Sequence, residues 1–507
     1  MTMRTIPVVL VGAGPTGLTA ATLLAHYGIE SLILERWEGV YPQPRAVHLD
    51  GEIRRIVERL GVGAEFDAIS RPALGLRLID PERRVLAQFD RDPDGDRNGH
   101  PEANLFDQPE LEAILRANLS RYPSVTLRGG AEVTAVTIES DGVRVHFADR
   151  ATGRAESVRA GYLLGCDGAN SLARDAIGAR MRDLRFAQRW LVVDIATTAD
   201  LGHWEGVHQV CDAKRAATYM RIGKTRYRWE FRLLPGETAA DFRDLPQLRS
   251  LIAPWLGAVA FERLELVRVA EYTFRAQLAD RWRKGPVFLL GDAAHLTPPF
   301  IGQGMGAGLR DAANLTWKLA GVLRGELADS VLDTYETERK PHARAMIRLA
   351  KLTGATMTQG GEFGNRLRGL IAPRLARVPG FTHMLTSGES PALRRSGLVI
   401  APLLRRGLAG RLTPNDRLSD GRPVDDIVAG RFAIITALDP PEADRTRIAQ
   451  RGGVVLSAAP GTALHRWLRR GHASAALVRP DGTVQRCGTN LSALCAAVPR
   501  FAPGDRG

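Results

Sequence analysis

A chain of 507 residues exceeds what one ordinary hydrophobic core organises, so more than one domain is expected. Its apolar fraction of 44% and charged fraction of 25% are those of a globular protein, and no run approaches the length of an apolar transmembrane span. The formal charge of +13 raises a nucleic-acid partner, but only six of the 69 basic residues are Lys and the arginines lie scattered among acids, as in Arg54-Arg55 near Glu52 and Glu58. With no basic stripe and no nucleic-acid motif, specific nucleic-acid recognition is not expected.

The start, Met1-Thr2-Met3-Arg4, runs directly into a predicted strand without a leader-like segment. Cys166, Cys211, Cys487 and Cys495 form neither a CxxC pair nor a metal-ligand spacing, so no metal and a reducing, cytoplasmic setting are expected.

In chain order, Thr5 to Val11 is β-branched and apolar, which suits a parallel strand buried on both faces. The turn Gly12-Ala13-Gly14-Pro15-Thr16-Gly17 follows, then a helical pattern over residues 16–27 with Gly28 as its stop. In this strand-turn-helix context Gly12 permits the tight turn, Gly14 lets backbone approach a pyrophosphate, and Gly17 lets helix and strand pack closely. A second strand, Ser31 to Leu34, ends at Glu35, whose carboxylate suits an adenosine ribose and disfavours a 2′-phosphate. FAD or NAD therefore fits better than NADP, against the plainer reading of a tight βαβ packing unit.

The chain then returns twice to similar signals. Residues 162–164 read as a short strand ending at Cys166-Asp167-Gly168, with a helix starting near Ser171. Asp167 reads either as a ligand-side residue or as an ordinary turn and helix-start residue. Residues 287–290 read as a buried strand ending at Gly291-Asp292-Ala293-Ala294-His295, and Asp292 suits ribityl hydroxyls. Beyond it, Pro298-Pro299-Phe300-Ile301-Gly302-Gln303-Gly304-Met305-Gly306 opens a strong helix whose small entrance exposes N–H groups to a charged flavin ring. Asp311 and Asn314, about one turn apart, are placed to fasten that helix to its surroundings. Such returns predict a dinucleotide fold with a substrate domain inserted between its strands.

These segments, with Arg45 in Pro42-Gln43-Pro44-Arg45-Ala46 and Gln108 in Phe106-Asp107-Gln108-Pro109, resemble the class A flavoprotein aromatic hydroxylases of the para-hydroxybenzoate hydroxylase fold, over roughly residues 5–400. The segment Tyr227-Arg228-Trp229-Glu230-Phe231-Arg232-Leu233 is similar to the 3-(3-hydroxyphenyl)propionate hydroxylase subgroup, which also holds enzymes of resorcinols and polyketides. By spacing alone, Tyr227, Trp229, Phe231 and Leu233 form one buried face of a strand.

The resemblance implies bound FAD, transient NADH or NADPH, dioxygen and an aromatic substrate, with hydroxylation through a flavin C4a-hydroperoxide. A phenolic acid such as 3-(3-hydroxyphenyl)propionate is the expected substrate, and a polyketide or other polycyclic phenol is the alternative. The expected cofactor-side residues are Gly12, Gly14, Gly17, Glu35, Arg36, Arg45, Gln108, Asp167, Asp292, Gly302, Gly304 and Met305. The expected catalytic residues are Pro298, His295, Tyr227 and Arg221, while His48 and Tyr219 read more simply as structural.

The expected fold is α/β and α+β, comprising a split Rossmann-like FAD domain (1–75, 100–180 and 270–345) and an inserted mixed-sheet substrate domain (76–99 and 181–269). A helical region (346–400) and a C-terminal thioredoxin-like domain (401–507) follow. The charged stretch at 333–341 is the first candidate for a turn after the long helix. This segment and the Ala/Leu-rich pattern that follows suggest helices completing the unit, and residues 391–414 read as a linker. The last domain lacks CxxC, which argues for an assembly or stabilising role, and a homodimer is one possible assembly.

Overall fold

The computed structural model describes residues 5–41, 46–95, 97–358, 390–401 and 407–502. The first strand, Thr5–Val11, becomes fully buried from Val8 onward, as its uninterrupted apolar run requires. It pairs in parallel with Ser31–Leu34 on one side and with Ala155–Gly165 on the other. Val287–Leu289 extends the sheet beyond Ala155–Gly165, and Val125–Arg128 closes the opposite edge, both in parallel. Strands distant in sequence, with Val8 paired to Tyr162 and Leu163 to Val287, thus become neighbours, so the predicted returns of the chain are one continuous sheet.

Helix Pro15–His26 has Pro at its start and covers this sheet with every residue from Gly17 to Ala25 buried. Gly28 then adopts φ +70°, the left-handed conformation that ends the helix. Against it lies helix Gly304–Leu323, buried over most of its length, which explains why its sequence is nearly devoid of a polar face.

The inserted domain is a second eight-stranded sheet built on two long antiparallel strands, Met181–Ala196 and Glu265–Ala279. Residues 75–90 and 205–232 add strands on its flank. Because Glu265–Ala279 is one uninterrupted element, the substrate sheet runs ten residues past the expected boundary at 269. Alternation gives the sheet two faces. On one, Leu191, Val193, Tyr219, Tyr227, Trp229 and Phe231 form a core with helix Leu245–Ile252 and Trp255. The other face looks toward the nucleotide-binding domain.

The segment 333–341 is helical, as the pattern suggested, but makes no turn: it runs on as one helix, Asp333–Thr358, with Pro341 in its interior. A proline there forfeits a backbone hydrogen bond. Tertiary anchors offset this: Tyr335 Oη donates to Leu289 O at 2.7 Å, and Glu338 and Arg339 are held in buried ion pairs. The expected helical region is described only through Thr358 and from residue 390 onward. The expected linker is no free tether either. Leu393, Val399 and Ala409 bury together, Ile400 N donates to Gln485 O at 2.8 Å, and Asn415 N donates to Arg97 O at 2.7 Å.

The C-terminal part is a four-stranded sheet in the spatial order Val454–Ser457, Ala433–Thr436, Ala475–Val478, Val484–Gly488. The first pair is parallel and the other two pairs are antiparallel. It shares the main core: Phe432 and Phe501 meet Trp317 edge-on with ring centroids 5.5 and 6.0 Å away. Beside these rings runs a buried chain of charges. Lys318 Nζ lies 2.9 Å from Glu338 Oε2, Glu338 Oε1 lies 2.9 Å from Arg479 Nη1, and Arg479 continues to Asp481.

Burial alone would raise the Glu338 carboxyl, but Arg479 and Lys318 hold it at about 2. Its contribution to stability is therefore complete above the ordinary carboxyl value and is lost progressively as pH falls toward 2. Removing one member of such a group strands the others without a partner. Glu338→Ala is expected to cost about 3–5 kcal/mol in a denaturant titration at neutral pH, and a loss below about 1 kcal/mol would contradict this account.

Candidate active site

The two sheets enclose a continuous cavity of about 690 Å³. Its nucleotide end lies at the carboxyl edge of the parallel strands, where an open α/β sheet accepts ligands. Gly12, Gly14, Glu35, Arg36, Gln108, Asp167, Asp292, Gly302, Gly304 and Met305 all line it. Gly17 stands behind the wall, and Arg45 falls outside the described residues.

The glycines of the first turn have different physical tasks. Gly12 has φ +100°, and a Cβ there would lie 2.5 Å from Cys166 O. A Cβ on Gly17 would collide with Gly12 O. At Gly14, by contrast, a Cβ would meet nothing within 4 Å and would project into open space. The first and last of these glycines hold chain against chain, and the middle one leaves room for a bound group. Glu35 braces the same turn, accepting from Ala13 N at 2.7 Å and Trp37 N at 3.0 Å.

Two helices open into this cavity without a side-chain cap. Gly14 precedes helix Pro15–His26 and has no side chain to offer. Gln303 precedes helix Gly304–Leu323, but its amide is drawn away, donating to Asp50 Oδ2 at 2.8 Å and accepting from Arg310 Nη1 at 2.8 Å. Uncapped N–H groups and the positive ends of both helix dipoles therefore face the same space. A cradle of this kind fits the pyrophosphate of a dinucleotide at one end and an electron-rich ring at the other. The third helix start is different: Asp167 accepts from Ser171 Oγ at 2.6 Å and Ala173 N at 3.0 Å. Asp167 thus organises the helix start and also lines the cavity.

Gln108 accepts from Ala46 N at 2.7 Å and so pins the chain leading to His48. His48 also lines the cavity. Its ring abuts Gly302, where φ is +61° and a Cβ would lie 2.6 Å from His48 Nδ1. Burial and then Arg91 lower its pKa to about 4, so the imidazole is neutral at physiological pH.

None of the four expected catalytic residues is among those that line the cavity. His295 is buried, with Nε2 2.8 Å from Asp311 Oδ2. Asp311 also accepts from Gly291 N at 3.0 Å and Arg339 Nε at 2.9 Å, so His295 belongs to an internal clamp. Asn314 fastens the same helix by donating to Glu338 Oε2 at 2.8 Å. Tyr227 points into the far core and donates to Ala199 O at 3.2 Å. Arg221 shares that face and is paired with Glu205 at 3.1 Å. Pro298 is buried beside the turn, while its neighbours Pro299, Phe300 and Ile301 line the cavity.

The sheet face that does meet the cavity carries Trp190, Val192, Gln209, Thr218, Met220, Arg228 and Glu230. Arg228 is fully buried, and its Nε and Nη2 meet Asp194 at 2.7 and 2.9 Å. Sequence reasoning missed Glu230 because it followed the aromatic positions. The available signal was the alternate set, in which two charged residues interrupt an aromatic strand. Among the described residues, no group of His, Cys, Asp and Glu is placed to hold a metal ion, and no helix is long and apolar enough to cross a membrane.

A dinucleotide cradle opening onto an inserted sheet defines a flavin-dependent monooxygenase. The chain belongs to the family described as FAD binding domain, whose model matches residues 5–350. It is 32% identical to the 3-(3-hydroxy-phenyl)propionate/3-hydroxycinnamic acid hydroxylase 2 of Burkholderia vietnamiensis, covering 98% of this chain and 96% of that one. It is 33% identical to the probable NADH-specific resorcinol 4-hydroxylase of Rhodococcus jostii, covering 95% and 92%. Among solved structures, OxyS anhydrotetracycline hydroxylase from Streptomyces rimosus superposes with a TM-score of 0.77 at 25% identity, over 99% of this chain and all of that one. The protein is therefore a FAD-dependent aromatic hydroxylase of the class A group, consuming dioxygen and a reduced nicotinamide.

The glycine geometry gives a differential outcome. Gly14→Val is expected to leave a folded protein that has lost most bound FAD, read by flavin absorbance beside circular dichroism. Gly17→Val is expected to lose the fold itself. Equal flavin content in wild type and Gly14→Val would refute the assignment of the open space.

Proposed function

We propose that the protein hydroxylates a phenol without a carboxylate anchor, of the resorcinol or polycyclic kind, in the cytoplasm. The observation that carries this reading is the single cavity that joins the uncapped helix ends to the inserted sheet. Bound FAD supplies the transfer of electrons from the nicotinamide and the activation of dioxygen. Gly12, Gly14 and the first helix hold its pyrophosphate, Glu35 its ribose, Asp292 its ribityl chain, and Gly302 to Met305 its ring. Trp190, Met220, Phe274 and Phe300 wall the substrate end with apolar surface, which excludes water and orients a flat ring.

The preference for an uncharged substrate follows from Arg228. It is the buried cation on this wall, and its bidentate bond to Asp194 already uses its fork. Recruiting it for a substrate carboxylate would break that bidentate bond and leave buried Asp194 with Arg268 alone. The full-length likeness to an anhydrotetracycline hydroxylase and the resorcinol 4-hydroxylase relative support the same reading. A phenolic acid such as 3-(3-hydroxyphenyl)propionate is the second reading, favoured by the Burkholderia relative and by Arg275 at the cavity lining.

The C-terminal sheet has the strand order and directions of a thioredoxin-like unit, which supports that assignment. Its Cys487 and Cys495 are free and not in a CxxC spacing, so a bracing role is proposed in place of thiol exchange. Four free cysteines across the chain support the reducing compartment.

Purified protein is expected to carry FAD and to convert resorcinol or polycyclic phenols to hydroxylated products, with NADH or NADPH consumed in step. For 3-(3-hydroxyphenyl)propionate a lower kcat/KM is expected, and the reverse order would overturn the substrate preference. Product analysis is required because uncoupled turnover makes hydrogen peroxide and consumes the nicotinamide without hydroxylation.

A further inference from the structure

Glu230 is 8% exposed, lines the substrate end of the cavity and sits in the middle of the sheet, opposite Val192 and Thr218 on the adjacent strands. Its nearest cation is Arg228 on the same strand, with Nη1 4.0 Å from Glu230 Oε1, beyond hydrogen-bond reach. Arg228 is itself committed to Asp194, and Arg268 approaches that same carboxylate to 2.9 Å from the strand beyond. Among the described residues no hydrogen bond reaches the Glu230 carboxyl. Facing the cavity beside a cation that is already committed, this carboxyl is placed to accept a hydrogen bond from a bound ligand.

We propose that Glu230 accepts the ring hydroxyl of the substrate and takes its proton during oxygen transfer, a catalytic role that rests on the phenol-hydroxylase reading above. The other candidates are placed elsewhere: Tyr219 and Tyr227 lie on the far face of the sheet, and His295 is in the internal clamp. His48 is at the Gly302 turn and is a weak base.

The step balances as follows. The phenolic O–H breaks, its proton bonds to a Glu230 oxygen, and the electron pair enters the ring. The activated ring carbon bonds one atom of dioxygen, while the other atom leaves as water. The two electrons come from the reduced nicotinamide by way of bound FAD. That carbon then releases its own hydrogen as a proton, and Glu230 returns a proton to the ring oxygen. Burial pushes the Glu230 carboxyl above its ordinary value, against the pull of Arg228 and Arg268 and with the help of Asp194, which makes its carboxylate a stronger base.

The test compares wild type, Glu230→Gln and Glu230→Asp as holoenzymes, each checked for FAD content, in single-turnover hydroxylation across pH. A base must be ionised to act, so the wild-type rate is expected to fall on the acid side as pH drops through the raised carboxyl value. Glu230→Gln is expected to lose that acid limb and about 10²-fold in hydroxylation rate at neutral pH, with FAD content unchanged. Glu230→Asp is expected to recover part of the rate and the limb. A more acidic halogenated analogue of a phenol that the wild type accepts, already ionised at the assay pH, is expected to restore Glu230→Gln toward wild type. Glu230→Gln retaining the wild-type rate and acid limb, or losing as much with the ionised analogue, overturns the role. Absence of any hydroxylated product from FAD-loaded wild type would instead defeat the phenol reading, and the role of Glu230 with it.

Discussion

The structure depends on one steric constraint, the close approach of three backbone segments that are distant in sequence. Gly12 lies against Cys166, Gly17 lies against Gly12, and Thr16 fills the space beside both Gly291 and Gly308. A Cβ at Gly12 or Gly17 would run into backbone, and one at Gly291 or Gly308 would press on Thr16. The first helix can therefore cross helix Gly304–Leu323 directly above the sheet, and both helix starts reach the same cavity. A Cβ at any of these contacts would separate the two positive ends that the cofactor needs together.

Asp311 turns this packing into a fixed geometry. Burial opposes its charge, yet His295 and Arg339 hold its carboxyl below the ordinary value. From the helix interior it ties Gly291 and therefore the Asp292 turn, so the ribityl-side loop moves only with the helix. Farther along the same helix, Lys318 joins Glu338, Arg479 and Asp481 of the neighbouring segments. The C-terminal sheet thus braces the cofactor helix from behind. Such a charged brace is expensive to desolvate, and its value lies in permitting only one arrangement of its members.

The nucleotide end was legible in the chain because its requirements are local. A strand that stops at Gly12, a helix that starts at about Thr16 and an acid at Glu35 each carry their own geometric reason. Asp167 and Asp292 could be placed because they end predicted strands. Helix was legible around residue 333 and beyond, but its continuity through Pro341 was not, since the ion pairs that stabilise it come from partners far along the chain. The strap around residues 391–401 read as a linker for the same reason: its hydrogen bonds go to Gln485 and other distant groups.

At the substrate end the division is sharper. Alternation along Arg226–Arg232 shows from sequence that Tyr227, Trp229 and Phe231 share one face and that Arg228 and Glu230 share the other. It does not show which face meets the flavin. That was decided by helix Leu245–Ile252 and Trp255 covering the aromatic side, which leaves the charged side toward the cavity. The sequence by itself determined the cofactor turn and the two faces of the strand, because both follow from backbone geometry over a few residues. Only tertiary structure decided the orientation of the strand and the solitary position of Glu230, because both depend on what distant segments place against it.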